Sequence, residues 1–427
     1  MSSRLLAHAL SACVGTAMAL QEATLSFATT KPDVITVKAG SSRTIGPDLL
    51  RAVAILLVML VHLPLEATPY GLVTIRNYGW LGVDVFFVLS GYLIGTQLFK
   101  EIVETGGVDL KTFYLKRALR IFPAYFVVLA LYAFVPLFRD TPNMQPLWRF
   151  ATFTVNFGLD PRTGNAFTQA WTLSVEEQFY LVLPVLAMVF VGRLSVFASM
   201  VTLILLVAAG VVCRSLLWEG QIGVLIDDGR AREAFAVYLK DIYYPTYTRL
   251  DGLLFGVFLA AARFFKSDLY KRFLPPLIAI PLGSALIAIA IVLFTIRGPL
   301  EGTNLFLVFQ AMPGAVAGFP LISAGIALLL GAALDGEQTL RNIPVPGVAA
   351  VATLSYSLYL THKSVFSIDR ALIGQENLTG LWGFAVYGVT SFAAAFLLWL
   401  VVERSFLLVR DRLLVSGLHR TQSASRG

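Results

Sequence analysis

Ten apolar stretches, roughly at residues 48–66, 79–99, 120–138, 177–193, 195–214, 247–265, 273–296, 304–334, 346–369 and 380–402, recur along a chain of 427 residues. Each approaches the ~20 residues that a helix needs to cross a hydrocarbon core of ~30 Å. Within hydrocarbon every backbone N–H and C=O must be satisfied inside the segment, so runs of this kind close into α-helices. The expected fold is therefore all-α, a polytopic transmembrane helix bundle of about ten spans. The eighth stretch is interrupted at Pro313 and Pro320, which leaves its ends open. Composition points to the same class, since 57% of the residues are hydrophobic and only 14% are charged.

Short loops rich in Lys and Arg stay cytoplasmic. Lys100, Lys111, Lys116, Arg117 and Arg120 form one basic cluster, and Arg263, Lys266, Lys271 and Arg272 a second. Arg404, Arg410, Arg412, Arg420 and Arg426 form a third. Ten spans bring all three to one side and make both termini cytoplasmic, although Arg139, Arg149, Arg162, Arg230 and Arg232 dilute the bias. The net charge of +7 follows largely from these clusters and needs no nucleic-acid partner; membrane lipids are the expected surroundings. Residues 1–45 read as an extension, 46–410 as the membrane domain and 411–427 as a basic cytoplasmic tail. Arg4 followed by Leu5 to Leu20 resembles a weak signal peptide. Its cleavage would invert the topology, so an uncleaved extension or an early start codon is expected. Cys13 and Cys213 offer neither a disulfide framework nor metal-ligand spacing, and no metal site is expected.

Ionisable residues inside apolar stretches are costly and mark functional sites by default. Arg51 and His62 lie eleven residues apart, about three turns plus ~20°, so they share one helix stripe roughly 16 Å apart in depth. Arg51 falls near the cytoplasmic face, where headgroup pairing by snorkelling is the alternative to a functional role. His62 falls near mid-membrane, where it needs a polar partner or a water-filled cavity and where its neutral form is a competent base. Asp84 begins the second stretch, which also holds Ser90 and Gly91, two residues that let a neighbouring helix approach. Arg117 and Arg120 are three apart on one face, positioned either to clamp phosphates or merely to set topology. Glu176 and Glu177 project ~100° apart, so one faces the bundle while the other caps the helix or faces water. Ser355, Tyr359 and His362 form a polar stripe in the ninth stretch, either interhelical glue or chemistry, and His362 is one of only four histidines.

In combination these residues resemble the membrane-bound acyltransferase-3 family, which includes bacterial O-antigen acetylases and related surface-polysaccharide O-acyltransferases. The resemblance runs from about residue 46 to 410. It rests on six elements in order: Arg51-x10-His62, the Gly82 to Gly91 segment GVDVFFVLSG, Phe113 to Pro123 with its Lys116-Arg117-x-x-Arg120, the Trp171 to Tyr180 segment WTLSVEEQFY, Thr248-Arg249-x-Asp251-Gly252, and Ser355 to His362. The resemblance implies transfer of an acyl group, usually acetyl, from cytosolic acyl-CoA to a hydroxyl of a sugar or lipid-linked glycan at the outer side. It implies a bacterial inner-membrane enzyme with no permanently bound cofactor. The family pattern makes Arg51 and His62 essential and the Glu176-Glu177-Gln178 segment important. Thr172 stands where serine is frequent, Thr361 and Lys363 flank His362 in place of common tryptophan or proline variants, and no esterase-like segment follows the last stretch here.

Acyl transfer to an alcohol needs a base, and His62 takes that role, worth typically ~10²- to 10⁴-fold. Arg51 would bind the donor or orient His62, while Glu176 or Glu177 would orient His62 or contact the acceptor. Lys116, Arg117 and Arg120 would anchor donor phosphates. Asp84, Trp171, Arg249, Asp251, Tyr359 and His362 complete the expected substrate-binding set. An acyl-histidine intermediate stands beside direct transfer. The rival class is a transporter or flippase, since intramembrane charges also mark transport paths, but the sequence shows no paired halves.

Overall fold

The structure is a computed structural model that describes residues 44–163, 165–190, 196–296, 311–342 and 345–413. Among the described residues it is all-α, with no strand and ten helices of at least 15 residues. These are α1 (Ile45–His62), α2 (Leu81–Thr105), α3 (Leu110–Phe134), α4 (Ala170–Phe190), α5 (Val196–Leu217), α6 (Asp251–Phe265), α7 (Pro276–Thr295), α8 (Phe319–Asp335), α9 (Val348–Ile373) and α10 (Gly380–Leu398). Eight helices are long and apolar enough to cross a membrane. The two that fall short are instructive: α6 has 15 residues, about 22 Å, and α9 carries Lys363, Asp369 and Arg370. The extension with its signal-like run, and the tail beyond 413, lie outside the described residues.

Several boundaries differ from expectation for local reasons. Helix α1 starts three residues earlier than its apolar stretch and stops at His62, because Pro64 drives Leu63 into an extended conformation (φ −66°, ψ 137°). His62 is therefore at the far end of α1, about 25 Å from Ile45 along the axis, rather than at its middle. Helix α4 starts at Ala170, so Trp171, Glu176 and Glu177 are inside it rather than leading into it. A π-turn at Gly314–Gly318 follows Pro313 and runs straight into α8; Pro320 has no N–H to give the turn before it, where the Val316 carbonyl accepts from Arg214 Nε at 3.1 Å. The helical segment that begins at Gly380 continues to Leu413, past the expected domain boundary at 410.

Helix α2 is the central element, packed by α1, α4, α6 and α8. Its contact with α6 is backbone to backbone: a Cβ at Gly91 would collide with the Leu253 carbonyl, and one at Gly256 with the Val88 carbonyl. Two buried ion pairs fasten the same region. Arg249 Nη2 lies 3.0 Å from Asp84 Oδ1, and Arg214 Nη1 lies 2.7 Å from Asp251 Oδ2. Arg214 also donates to the carbonyls of Thr248 and Val316, so it ties α5, α6 and the π-turn before α8 together. At the opposite end Glu337 accepts from the N–H groups of Ile45 and Gly46 at 2.8 and 3.1 Å, and so satisfies two orphan donors of α1.

Candidate active site

Among the described residues, two adjoining cavities bear on the site. The larger, of about 430 Å³, is lined by Arg51, Lys116, Arg117, Arg120 and Arg410 together with Glu176 and Ser90. The smaller, of about 170 Å³, is lined by His62, Trp80, Gln169, Trp171, Tyr243 and Tyr244. Val83 and Tyr359 belong to both linings and stand where the two spaces adjoin.

The larger cavity brings together residues from five of the six sequence elements. Arg51 lies 2.9 Å from Asp48, three residues back on α1, which orients its guanidinium. The Arg117 guanidinium lies 4.1 Å from the centre of the Tyr180 ring, a cation–π contact that sets its direction. Glu176 accepts from Ser90 Oγ at 2.8 Å, so Ser90 serves the cavity wall while its neighbour Gly91 serves packing. Glu177 lines neither cavity.

The smaller cavity contains the one histidine accessible from it, and its neighbours define which nitrogen is basic. His62 Nδ1 is 2.8 Å from the Val58 carbonyl, and His362 Nδ1 is 3.0 Å from the Leu358 carbonyl. A carbonyl oxygen only accepts, so both Nδ1 atoms carry hydrogen; this tautomer is assigned from the hydrogen-bond inventory. His362 Nε2, 3.2 Å from His62 Nδ1, then accepts from it. His62 Nε2 is left with a free lone pair. His362 is fully buried, and the two rings are 5.0 Å apart at a tilt of 48°. The sequence left Glu176 or Glu177 either to orient His62 or to contact the acceptor. In the structure the side chain against His62 Nδ1 is His362, and Glu176 lines the larger cavity.

The remaining members of the expected substrate set divide. Trp171 lines the smaller cavity, and Tyr359 stands between the two with its hydroxyl 2.6 Å from Thr172 Oγ1 and 3.2 Å from the Gln169 carbonyl. Asp84, Arg249 and Asp251 line neither cavity. They take part in the buried ion pairs, and the Arg249 guanidinium is further enclosed by the Phe319 ring at 3.8 Å and the Tyr243 ring at 4.8 Å. Their charges tie α2, α5 and the start of α6 together, although Asp84 Oδ2 and Arg249 Nε and Nη1 are buried with no hydrogen-bond partner among the described residues.

Sequence reasoning missed Gln169, Tyr243 and Tyr244, which lie just outside the motif boundaries, and it missed Arg410 as a cavity residue. It also left Lys363 without a role. Lys363 Nζ lies 2.6 Å from Asp140 Oδ2 and 2.5 Å from Thr168 Oγ1. Asp140 Oδ1 accepts from the N–H of Phe167, a residue held at φ 60° and stacked 4.5 Å from Tyr132. A bulky residue in that left-handed region is strained, and such strain persists where surrounding contacts enforce it. Here the turn delivers Gln169 and Trp171 to the cavity beside His62. Among the described residues no group of His, Cys, Asp and Glu could hold a metal ion.

Residues 44–400 match the acyltransferase-3 family model, an acyltransferase domain. A protein of Staphylococcus aureus (strain COL) provisionally named an O-acetyltransferase is 28% identical over 341 residues, covering 75% of this chain and 50% of that protein. The O-acetyltransferase OatA of Staphylococcus aureus (strain NCTC 8325 / PS 47) is 26% identical over 343 residues, with the same coverage of 75% and 50%. The chain thus spans about half the length of these relatives. No solved structure matches it.

Proposed function

The chain belongs to the acyltransferase-3 family, and from that premise we propose that it is a membrane O-acyltransferase. In this reading it moves an acyl group, acetyl above all, from cytosolic acyl-CoA to a hydroxyl of a surface carbohydrate or glycolipid on the outer side of a bacterial inner membrane. The observation that carries the reading is the adjacency of two unlike cavities: one lined by five cations, the other holding a histidine with a free Nε2, and both bounded by Tyr359.

Donor phosphates belong in the cationic cavity, where Lys116, Arg117 and Arg120 supply charge-assisted hydrogen bonds and Arg51 adds a further cation. The thioester then extends toward Val83 and Tyr359. On the other side His62 Nε2 takes the proton of the acceptor hydroxyl as its oxygen bonds to the acyl carbon. The tetrahedral adduct expels the thiolate, which recovers that proton and leaves as free CoA. His362 keeps His62 in the tautomer this step requires. The orientation that supports this path places the basic clusters in the cytosol, with Arg51 toward that side and His62 toward the outside.

The test supplies radiolabelled acetyl-CoA to membranes containing the protein and follows label into the surface glycan and lipid fractions, with acyl groups located by mass spectrometry against a deletion strain. Label in an alkali-labile ester of a glycan or glycolipid is expected. Label released only as free acetate, or not consumed, would contradict the assignment.

A further inference from the structure

Arg410 was expected at the last position of the membrane domain, in a basic cluster that sets topology, and Asp411 at the first position of the tail, yet both line the larger cavity. The reason lies in the last helix. The segment Gly380–Leu413 is continuous over 34 residues, about 50 Å, well beyond a ~30 Å hydrocarbon core. Its end therefore projects on the side where Lys116 and Arg117 open the cavity. A π-turn at Trp399–Glu403 adds a residue to the helical repeat and turns every later side chain about the axis. That turn is pinned, because its buried Glu403 accepts from Ser357 Oγ of α9 at 2.9 Å. The result is that Arg410 and Asp411 together reach the cavity.

The guanidinium of Arg410 is only loosely engaged. Its Nε and Nη2 atoms both donate to a single oxygen, Asp411 Oδ1, at 2.9 and 2.7 Å. A guanidinium fork is matched by two oxygens, as a phosphate offers. Side-chain exposure is 26% for Arg410 and 59% for Asp411, so the arginine sits inside the rim and the carboxylate on the solvent side. Exposed pairs of this kind are weakly held.

We propose that Arg410 is a donor-phosphate ligand of the larger cavity, and that Asp411 holds it at the rim until a phosphate group of acyl-CoA displaces the carboxylate. The proposal deepens the acyltransferase reading and rests on it. With Arg410 the cavity presents five cations, and with Asp411 detached Glu176 is the one carboxylate left in its lining among the described residues, while Asp48 stays paired with Arg51.

The experiment measures acetyl-CoA binding calorimetrically and acyl-transfer kinetics, using the full chain in nanodiscs of zwitterionic lipid and again in nanodiscs containing anionic lipid. Arg410→Gln should weaken acetyl-CoA binding and raise its KM about tenfold, the worth of a charge-assisted hydrogen bond. At saturating donor, kcat should change less than twofold. Asp411→Asn should lower the donor KM severalfold, and that gain should vanish when Arg410→Gln is also present. Equal thermal unfolding midpoints establish that the variants are folded. An unchanged donor KM in Arg410→Gln would overturn the proposal. So would an Asp411→Asn effect that survives without Arg410, or an Arg410 effect confined to anionic lipid, which would assign the arginine to headgroups. A wild-type protein that binds no acetyl-CoA would instead overturn the donor assignment beneath it.

Discussion

His62 and His362 are 300 residues apart in the chain and 3.2 Å apart in the fold, and the proposed chemistry draws on that contact. Each ring is committed at Nδ1 to the carbonyl four residues back on its own helix, which leaves the pair a single polarity from His62 to His362. Replacement of His362 by leucine removes the acceptor for His62 Nδ1–H while Val58 still holds that atom. The expected result is a kcat reduced by up to about tenfold, the scale of one hydrogen bond, with donor KM unchanged and partial recovery in His362→Gln. Steady-state kinetics with acetyl-CoA varied would show it. Asp84 and Arg249 behave oppositely. Arg249→Ala strands a buried carboxylate and should cost roughly 3–5 kcal/mol of stability, seen as a lowered thermal midpoint, whereas the double change to apolar residues should recover much of it. The sequence marked all four residues, because intramembrane polar groups are conspicuous. It could not separate ligand from ion pair, since Asp84 and Arg249 are 165 residues apart and nothing local records that they meet.

At the scale of elements, most of the helices were legible because length and apolarity are written locally. Their ends were less so. The stop at His62 is a consequence of Pro64, and the early start of α4 follows a strained turn at Phe167 that leaves no compositional trace. Close helix contacts were legible only in part: Gly91 was read as a packing residue, but its partner Gly256 on α6 was not paired with it. Gly256→Leu should force α2 and α6 apart at the Val88 carbonyl, and loss of the monodisperse folded protein in detergent chromatography is the expected outcome. Glu337 offers a milder probe at the start of α1. Burial alone would push its carboxyl up, but the Ile45 and Gly46 N–H groups and Arg341 outweigh burial and hold it below the ordinary value of 4.5. A depressed folded pKa contributes stability that is present above 4.5 and is lost as pH falls through the folded value. The difference in thermal midpoint between wild type and Glu337→Gln should therefore be constant near neutrality and shrink below about pH 4.5.

The whole molecule is a helix bundle whose two cavities are built from residues spread between Arg51 and Asp411. Six sequence elements were recognisable, yet their distribution between a cationic and a histidine-bearing space depends on which helices are neighbours, and no periodicity encodes that. The proposed orientation has a direct consequence. In a cysteine-less background, Lys111→Cys should be shielded from a membrane-impermeant thiol reagent in intact cells, while Arg162→Cys should react. The central claim is that an acyl group passes from the cationic cavity to an acceptor hydroxyl activated by His62. The measurement that tests it most directly compares transfer of label from radiolabelled acetyl-CoA into glycan ester by wild type and His62→Ala, at equal amounts of folded protein and with donor binding measured in parallel. The account predicts that His62→Ala binds acetyl-CoA as the wild type does and loses transfer by a factor of at least about 100. Transfer at the wild-type rate in that variant would contradict it.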